Sequence, residues 1–200
     1  MMNRYADVSP EGVFKSDVKD ISGRFFKVTE KLLSGRICIS AIALGPTKAC
    51  LYIAIKYAQM RKSIGIEGNS TEPIFNYQLQ QNALMPLLCR TLALNCMYNY
   101  TRTVYKTPKG YEHELLSLCC ITKTMLGWNF NNVAITCRER CGGMGYLAVS
   151  RFGEYIALAH SALTAEGDNR VLMSKISKDY MTNVARHGFK VPVPTLNVHT

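Results

Sequence analysis

Residues 137–170, CRERCGGMGYLAVSRFGEYIALAHSALTAEGDNR, decide how the rest of the chain is interpreted. Three glycines stand within four positions after a charged helical turn: Gly142, Gly143 and Gly145. Because glycine has no side chain, a flat and bulky ligand can approach the backbone there closely. Further along, Glu166 lies between small residues and a glycine, where Asp168 and Asn169 begin a new amphipathic run. The stretch predicts one carboxylate placed beside one glycine surface.

The bulk composition is that of a single globular domain. The chain has 200 residues, of which 48% are hydrophobic and 19% charged, so it can bury a core. Its net charge of +10 suits nucleic acid, an anionic membrane surface or a phosphate-bearing ligand. The basic residues are dispersed, however, and no basic run is longer than Arg61 and Lys62. We therefore do not expect nucleic-acid binding.

The cysteines and histidines do not predict a metal site. The chain has eight cysteines, and the pair at Cys137 and Cys141 is one helical turn apart without matching histidine ligands. The four histidines are far apart in the sequence. We expect the cysteines to be small, reduced core residues, because two of them are adjacent and no disulfide framework is evident.

Neither a signal peptide nor a membrane span is expected. The first twelve residues, MMNRYADVSPEG, are polar. The most hydrophobic stretch, 37–55, is interrupted by Gly45, Pro46 and Lys48, so it falls short of a membrane helix and predicts a buried one.

Apolar spacing predicts an all-α, up-down helical bundle with an extended N-terminal lead-in. Helical periodicity marks five segments: Phe25 to Met60, Tyr77 to about Val104, Leu115 to beyond Trp128, Tyr155 to Leu163, and a last one with Met173, Ile176, Tyr180 and Val184. We expect Gly45 and Pro46 to kink or divide the first helix, and 61–73 and 107–110 to be connecting segments. The predicted division is a lead-in at 1–22, the bundle at 23–187 and a loose tail at 188–200. Period-two alternation is not sustained anywhere, so almost no sheet is expected.

From the residues alone, simpler interpretations of the two features remain open. The glycines do not form a dinucleotide fingerprint, because a helical segment and not a strand precedes them. From the residues alone, a helix cap with a tight turn is the favoured explanation. A lone glutamate such as Glu166 near a helix start is most often a solvated residue that favours the helix dipole.

Four stretches of the chain resemble, in order, those of the acyl-CoA oxidases, the oxygen-using branch of the acyl-CoA dehydrogenase superfamily. They are RKSIG at 61–65, NYQLQQ at 76–81, CRERCGGMGY at 137–146 and TAEGDNR at 164–170. The resemblance covers about residues 3–180. It implies that this chain is the C-terminal helical part of such an enzyme and begins at the end of its β-domain.

The resemblance also implies roles for single residues. Glu166 matches the catalytic base that removes the α-proton of the acyl-CoA thioester. Arg61 matches the arginine that meets the FAD diphosphate, and Gln78 matches a glutamine that contacts the cofactor. The glycine turn is similar to the element that lies against the flavin of a neighbouring subunit. The residues assigned in this way to FAD binding are Arg61, Gln78, Gly142, Gly143, Gly145, Asp168 and Asn169.

The implied activity is α,β-dehydrogenation of fatty acyl-CoA to trans-2-enoyl-CoA, with electrons passing to O2 to give H2O2. This is the first step of peroxisomal fatty-acid β-oxidation. A homodimer and a peroxisomal location are expected, although the chain ends in NVHT and not in a Ser-Lys-Leu type signal. We expect the isolated polypeptide to bind FAD poorly and to turn over little. Two alternatives stay open: an acyl-CoA dehydrogenase that passes electrons to a flavoprotein, and a non-catalytic helical dimerisation module.

Overall fold

Helices make up most of the computed structural model, which describes residues 6–21, 23–24, 32–107 and 112–188. The helices are α1 (Leu32–Met60), α2 (Gln78–Lys106), α3 (Glu112–Arg140), the short α4 (Gly142–Tyr146), α5 (Phe152–Thr164) and α6 (Asn169–His187). Two small antiparallel hairpins pair β1 (Asp7–Val8) with β2 (Phe14–Lys15) and β3 (Lys62–Ser63) with β4 (Glu72–Pro73). The expectation of an all-α bundle with almost no sheet is confirmed.

The hydrogen bonds between α2 and α3 show that these two helices are antiparallel. Gln80 Nε2 donates to the Arg140 carbonyl (3.1 Å), and Asn129 Nδ2 donates to Thr91 Oγ1 (3.0 Å). The hydroxyls of Thr101 and Thr122 bond to each other (2.7 Å). In these contacts the residue number rises along α2 as it falls along α3. The amide of Ile74 donates to the carbonyl of Arg61, just after α1 ends. The end of α1, the start of α2 and the end of α3 therefore lie together. We call this the glycine end of the bundle, because Gly142 and Gly143 follow there.

Helix α1 is continuous through Gly45 and Pro46. Of the two predicted effects, the division is therefore wrong, and the kink stays a prediction. Proline removes one backbone donor, but burial against the other helices holds the segment in helical conformation. Ala43, Cys50 and Ala54 are fully buried. Among the described helices α1 alone is long and apolar enough to cross a membrane, with a mean hydropathy of 1.6, and 44% of that window is buried in the protein.

Helices α5 and α6 follow one another along α3. A methyl group on Gly127 of α3 would lie 3.1 Å from the Ala162 carbonyl of α5, and Thr124 Oγ1 donates to Met173 Sδ of α6 at 3.3 Å. The turn at residues 165–168 joins the two helices. This turn carries Glu166.

Other sequence predictions differ in detail from the structure. The segment 61–73, predicted as a loop, contains the β3–β4 hairpin, and the Tyr77 hydroxyl donates to the Ile64 carbonyl beside it (2.6 Å). The glycine cluster forms the short helix α4 as well as a turn. The predicted helix start at Phe25, most of the 107–110 turn and most of the 188–200 tail lie outside the described residues. The division at residues 22 and 187 stays a prediction.

The eight cysteines are free, but only some are core residues. Five are buried: Cys50, Cys119, Cys120, Cys137 and Cys141. Burial raises the pKa of the Cys50 thiol to about 12 and those of Cys119 and Cys141 to about 11. Cys38, Cys89 and Cys96 are exposed, so the expectation of eight core cysteines is wrong for these three.

We expect iodoacetamide at pH 8 to alkylate three thiols of the native chain and all eight in urea. The thiolate is the reactive form, and the five buried thiols are both shielded from the reagent and raised in pKa. Intact-mass spectrometry counts the adducts, and peptide mapping assigns them. Rapid alkylation of Cys50 or Cys137 in the native chain would contradict the packing described here.

Candidate functional site

The turn that carries Glu166 has an unusual backbone. Glu166 has φ of 59° and the following Gly167 has φ of 110°, so two consecutive residues are in the left-handed region. A residue other than glycine there costs about 1–3 kcal/mol, and it persists only where neighbouring groups hold it. The sequence placed Glu166 near a helix start but did not predict this conformation.

Asp168 holds the start of α6. Its Oδ1 accepts hydrogen bonds from the amides of Arg170 (2.9 Å) and Val171 (3.1 Å), which is the geometry of a helix N-cap. The carboxylate also lies at the positive end of the α6 dipole. This side chain therefore has a structural role as a helix cap. Its predicted cofactor contact stays a prediction.

Lys123 of α3 holds the turn from the inside. Its side chain is fully buried, and its Nζ donates to the Gly167 carbonyl (2.6 Å), to Asn169 Oδ1 (2.7 Å) and to the Leu163 carbonyl (3.4 Å). Burial lowers the pKa of the Lys123 ammonium, while the nearby Asp168 charge opposes that shift. Sequence reasoning missed this residue. The sequence feature that could have identified Lys123 is its single charge within the largely apolar stretch CCITKTMLGW.

Asn169 is an internal residue. It is 2% exposed, its Oδ1 accepts from Lys123, and its Nδ2 donates to the Thr124 carbonyl at 3.3 Å. Both ends of the Asn169 side-chain amide are therefore used inside the chain. The predicted cofactor contact of Asn169 stays a prediction.

The carboxylate of Glu166 rests on the backbone of α1 at Gly35. A methyl group on Gly35 would overlap Cδ and Oε1 of Glu166 and would lie 2.7 Å from Oε2. The neighbouring Arg36 donates from Nε to the Glu166 carbonyl (3.4 Å). Glu166 as a whole is exposed, so one side of its acid group is against α1 and the rest is accessible. The sequence placed Gly35 only within the first predicted helix and did not connect it with Glu166.

The glycine end has a different character. A methyl group on Gly142 or Gly143 would meet nothing within 4 Å, so the backbone there is open to a ligand. On Gly145 it would overlap the Arg138 carbonyl, and Gly145 is buried. The absence of a side chain at Gly145 therefore serves packing on the end of α3, and the predicted cofactor contact of Gly145 stays a prediction.

The other predicted cofactor residues lie at the same end. Arg61 follows α1, and Gln78 is the first residue of α2; both are exposed. Several large apolar side chains are exposed beside the glycines, namely Met144, Tyr146, Leu147 and Val149. The Arg138 guanidinium lies 5.9 Å from the Tyr146 ring centroid. A cation, an amide and exposed apolar side chains thus lie at the same end of the bundle as the open backbone.

The structure places Glu166 far from the glycine end, although the sequence predicted that they lie together. Lys123 marks the level of Glu166 on α3, and Arg140 marks the glycine end. A helix rises about 1.5 Å per residue, so these two levels are roughly 25 Å apart. The prediction of one carboxylate beside one glycine surface is wrong within a single chain, because α5 lies between them.

Comparison with known proteins gives consistent results. The family model described as "Acyl-CoA oxidase, C-alpha1 domain" matches residues 30–181. Peroxisomal acyl-coenzyme A oxidase 2 of Arabidopsis thaliana is 32% identical, over 90% of this chain and 27% of its own length. Peroxisomal acyl-coenzyme A oxidase 3 of Homo sapiens is 29% identical, over 94% and 28%. The crystal structure of an acyl-CoA oxidase from tomato has a TM-score of 0.81 at 25% identity, covering 96% of this chain and 30% of that one. The chain thus spans less than a third of these relatives.

We expect Gly35→Ala to stabilise the chain in a Glu166→Ala background and to give no such gain while Glu166 is present. In an otherwise free helical position, alanine in place of glycine stabilises a helix by about 0.5–1 kcal/mol. At Gly35 the new methyl group displaces the carboxylate, so the gain is lost, and it returns in a Glu166→Ala background. Urea unfolding of the parent chain, the two single variants and the double variant gives the coupling free energy between Gly35 and Glu166. Gly153→Ala is the control, since a methyl group there meets nothing within 4 Å. Additive effects at Gly35 and Glu166 would contradict the contact.

Proposed function

This chain belongs to the acyl-CoA oxidase family, and we propose that it forms the helical part of a FAD-dependent acyl-CoA oxidase site in which Glu166 is the catalytic base. The observation that carries this proposal is the accessible carboxylate of Glu166, which sits on a turn held by groups from three helices. The similar proteins are named acyl-coenzyme A oxidases, which supports the proposal. Because the chain spans less than a third of their length, the activity, substrates and partners of the whole enzyme are part of the proposal.

In the proposed reaction the Glu166 carboxylate removes the α-proton of a fatty acyl-CoA thioester. A bound FAD would supply the hydride acceptor for the β-hydrogen and the route for two electrons to O2. The products would be trans-2-enoyl-CoA and H2O2, and H2O2 would take up that hydride together with the proton removed by Glu166. The contribution of this chain is to hold the base. A carboxylate fixed on one side by Gly35 and open on the other can meet a substrate without a large rearrangement.

The residues at the glycine end suit a flavin dinucleotide. Arginine pairs with phosphate oxygens through its planar fork, and Arg61 is exposed there. Gly142 and Gly143 leave backbone that a flat ring can approach, and Gln78 is an exposed donor and acceptor beside them. We propose Arg61, Gln78, Gly142 and Gly143 as the FAD-binding residues of this chain.

A complete site requires two copies of the chain. Because Glu166 and the glycine end are roughly 25 Å apart within one chain, a single copy cannot present both to one flavin ring. A second copy supplies the missing group, and the apolar side chains exposed at the glycine end suit contact with it. We therefore propose a homodimer, and a peroxisomal location like that named for the relatives.

We expect Glu166→Gln to abolish peroxide release by the full-length product of the gene that encodes this chain. Loss of a general base costs about 10²–10⁴-fold in rate, so kcat should fall by at least about a hundredfold while the acyl-CoA KM changes little. Peroxide is measured under air with added FAD and acyl-CoAs of several lengths. Glu154→Gln is the matched control, because Glu154 is an exposed acid paired with Arg151.

Retained activity in Glu166→Gln would contradict the catalytic assignment. A parent protein that reduces an added electron acceptor under air without releasing peroxide would favour the dehydrogenase alternative. A parent protein that does neither would favour the non-catalytic helical module.

We expect two inactive variants to restore activity when they are combined. If each site takes Glu166 from one chain and Arg61 from the other, a dimer of a Glu166→Gln chain with an Arg61→Ala chain has one intact site. Co-expression then recovers about a quarter of the parent activity, since half of the dimers are mixed and each has one good site of two. Each variant expressed alone is the control. A mixture no more active than the better single variant would place both residues in a one-chain site.

A further inference from the structure

Lys123 is a fully buried cation that does not form an ion pair within the described part of the chain. Removing an ammonium from water costs several kcal/mol unless other groups replace its hydration. Lysine has three donors, and here all three have acceptors: the carbonyls of Leu163 and Gly167 and Oδ1 of Asn169. Gly167 is in the turn that joins α5 to α6, and Leu163 and Asn169 are in the helical ends on either side of that turn.

The three acceptors lie on both sides of Glu166. Leu163 is in the last turn of α5, where carbonyl groups lack helical partners and the helix dipole is negative. Gly167 directly follows Glu166, and Asn169 is the first residue of α6. The ammonium thus bridges the end of one helix and the start of the next across the left-handed turn. The observed turn conformation presents all three oxygens to Lys123.

A purely structural role does not account for this arrangement. A methionine of similar length would fill the same space on α3 without the cost of a buried charge. Unlike methionine, the ammonium donates a hydrogen bond to the Gly167 carbonyl and so fixes the orientation of that carbonyl. The orientation of that peptide follows from the left-handed φ of Glu166 and Gly167.

We propose that Lys123 is a positioning residue for Glu166: its buried ammonium holds the 165–168 turn so that the carboxylate lies over Gly35. Lys123 does not touch the substrate and acts only through the backbone of the turn. The catalytic consequence rests on the proposed function, in which Glu166 is the base. The placement of the carboxylate over Gly35 does not depend on the proposed function. It can be tested on this chain alone.

The test is whether the contact between Gly35 and Glu166 survives without Lys123. Unfolding in urea is measured for Gly35→Ala, Glu166→Ala and the double variant, in the parent chain and in Lys123→Met. With Lys123 present the two substitutions are coupled, since the carboxylate is held against Gly35. In Lys123→Met the turn relaxes, the carboxylate moves away, and the coupling is lost. Lys48→Met is the control, because Lys48 is an exposed lysine that donates to Asn95 Oδ1, away from the turn.

Amide hydrogen exchange gives a second, independent measurement. In Lys123→Met we expect exchange at residues 165–169 to rise at least about tenfold while the α2–α3 core is unchanged. If Lys123→Met does not fold, Lys123→Gln removes the charge and keeps a polar tip, and the same criteria apply. Coupling that persists at its parent value in a Lys123 variant, or unchanged exchange at the turn, would overturn the proposal.

Activity separates this proposal from the proposed function. In the full-length product, Lys123→Met should lower kcat for peroxide release with an unchanged acyl-CoA KM, because binding is intact and the base is misplaced. A kcat equal to that of the parent would overturn the catalytic consequence. A parent protein that releases no peroxide would overturn the oxidase assignment alone, and the coupling result would still decide the role of Lys123.

Discussion

The burial of α3 on almost every side is the constraint on which the structure depends. This helix packs against α1, α2, α5 and α6, and its side chains are fully buried at several levels, among them Lys123, Phe130 and Val133. A buried polar group on such a helix is costly unless it has a partner inside the protein. Thr122 and Asn129 find theirs on α2, which fixes the alignment of the two helices. Lys123 finds its partners on the turn that carries Glu166. One constraint therefore orders both the bundle and the site.

The helices were predictable because apolar residues recur at helical spacing wherever a helix covers the core. The exception at Gly45 and Pro46 shows the limit of local rules. Both residues weaken a helix by themselves, yet the buried residues on either side of them, such as Ala43 and Cys50, hold α1 against its neighbours. The β3–β4 hairpin could not be predicted by alternation, because each of its strands has only two residues.

The site was predictable in its parts but not in its arrangement. Motifs pointed to Glu166 and to Gly142 and Gly143, and they missed that α5 is a rigid spacer between them. The predicted helix from Tyr155 to Leu163 already contained this information, since a helix keeps its ends apart by its full length. Gly35 and Lys123 could not be connected with Glu166 from the sequence. Each is ordinary in its own helix, and only the folded chain brings the three together.

The position of the carboxylate is a property of the whole bundle and not of the turn. A free turn with a non-glycine residue at φ of 59° would relax. Here three helices hold it: α1 through Arg36 on the Glu166 carbonyl, α3 through Lys123 on the Gly167 carbonyl, and α6 through its Asp168 cap. The glycine end has the opposite character, with open backbone and exposed apolar side chains. A chain that holds an acid firmly at one level and leaves a ligand surface open at another suits an assembly in which each copy completes the site of its partner.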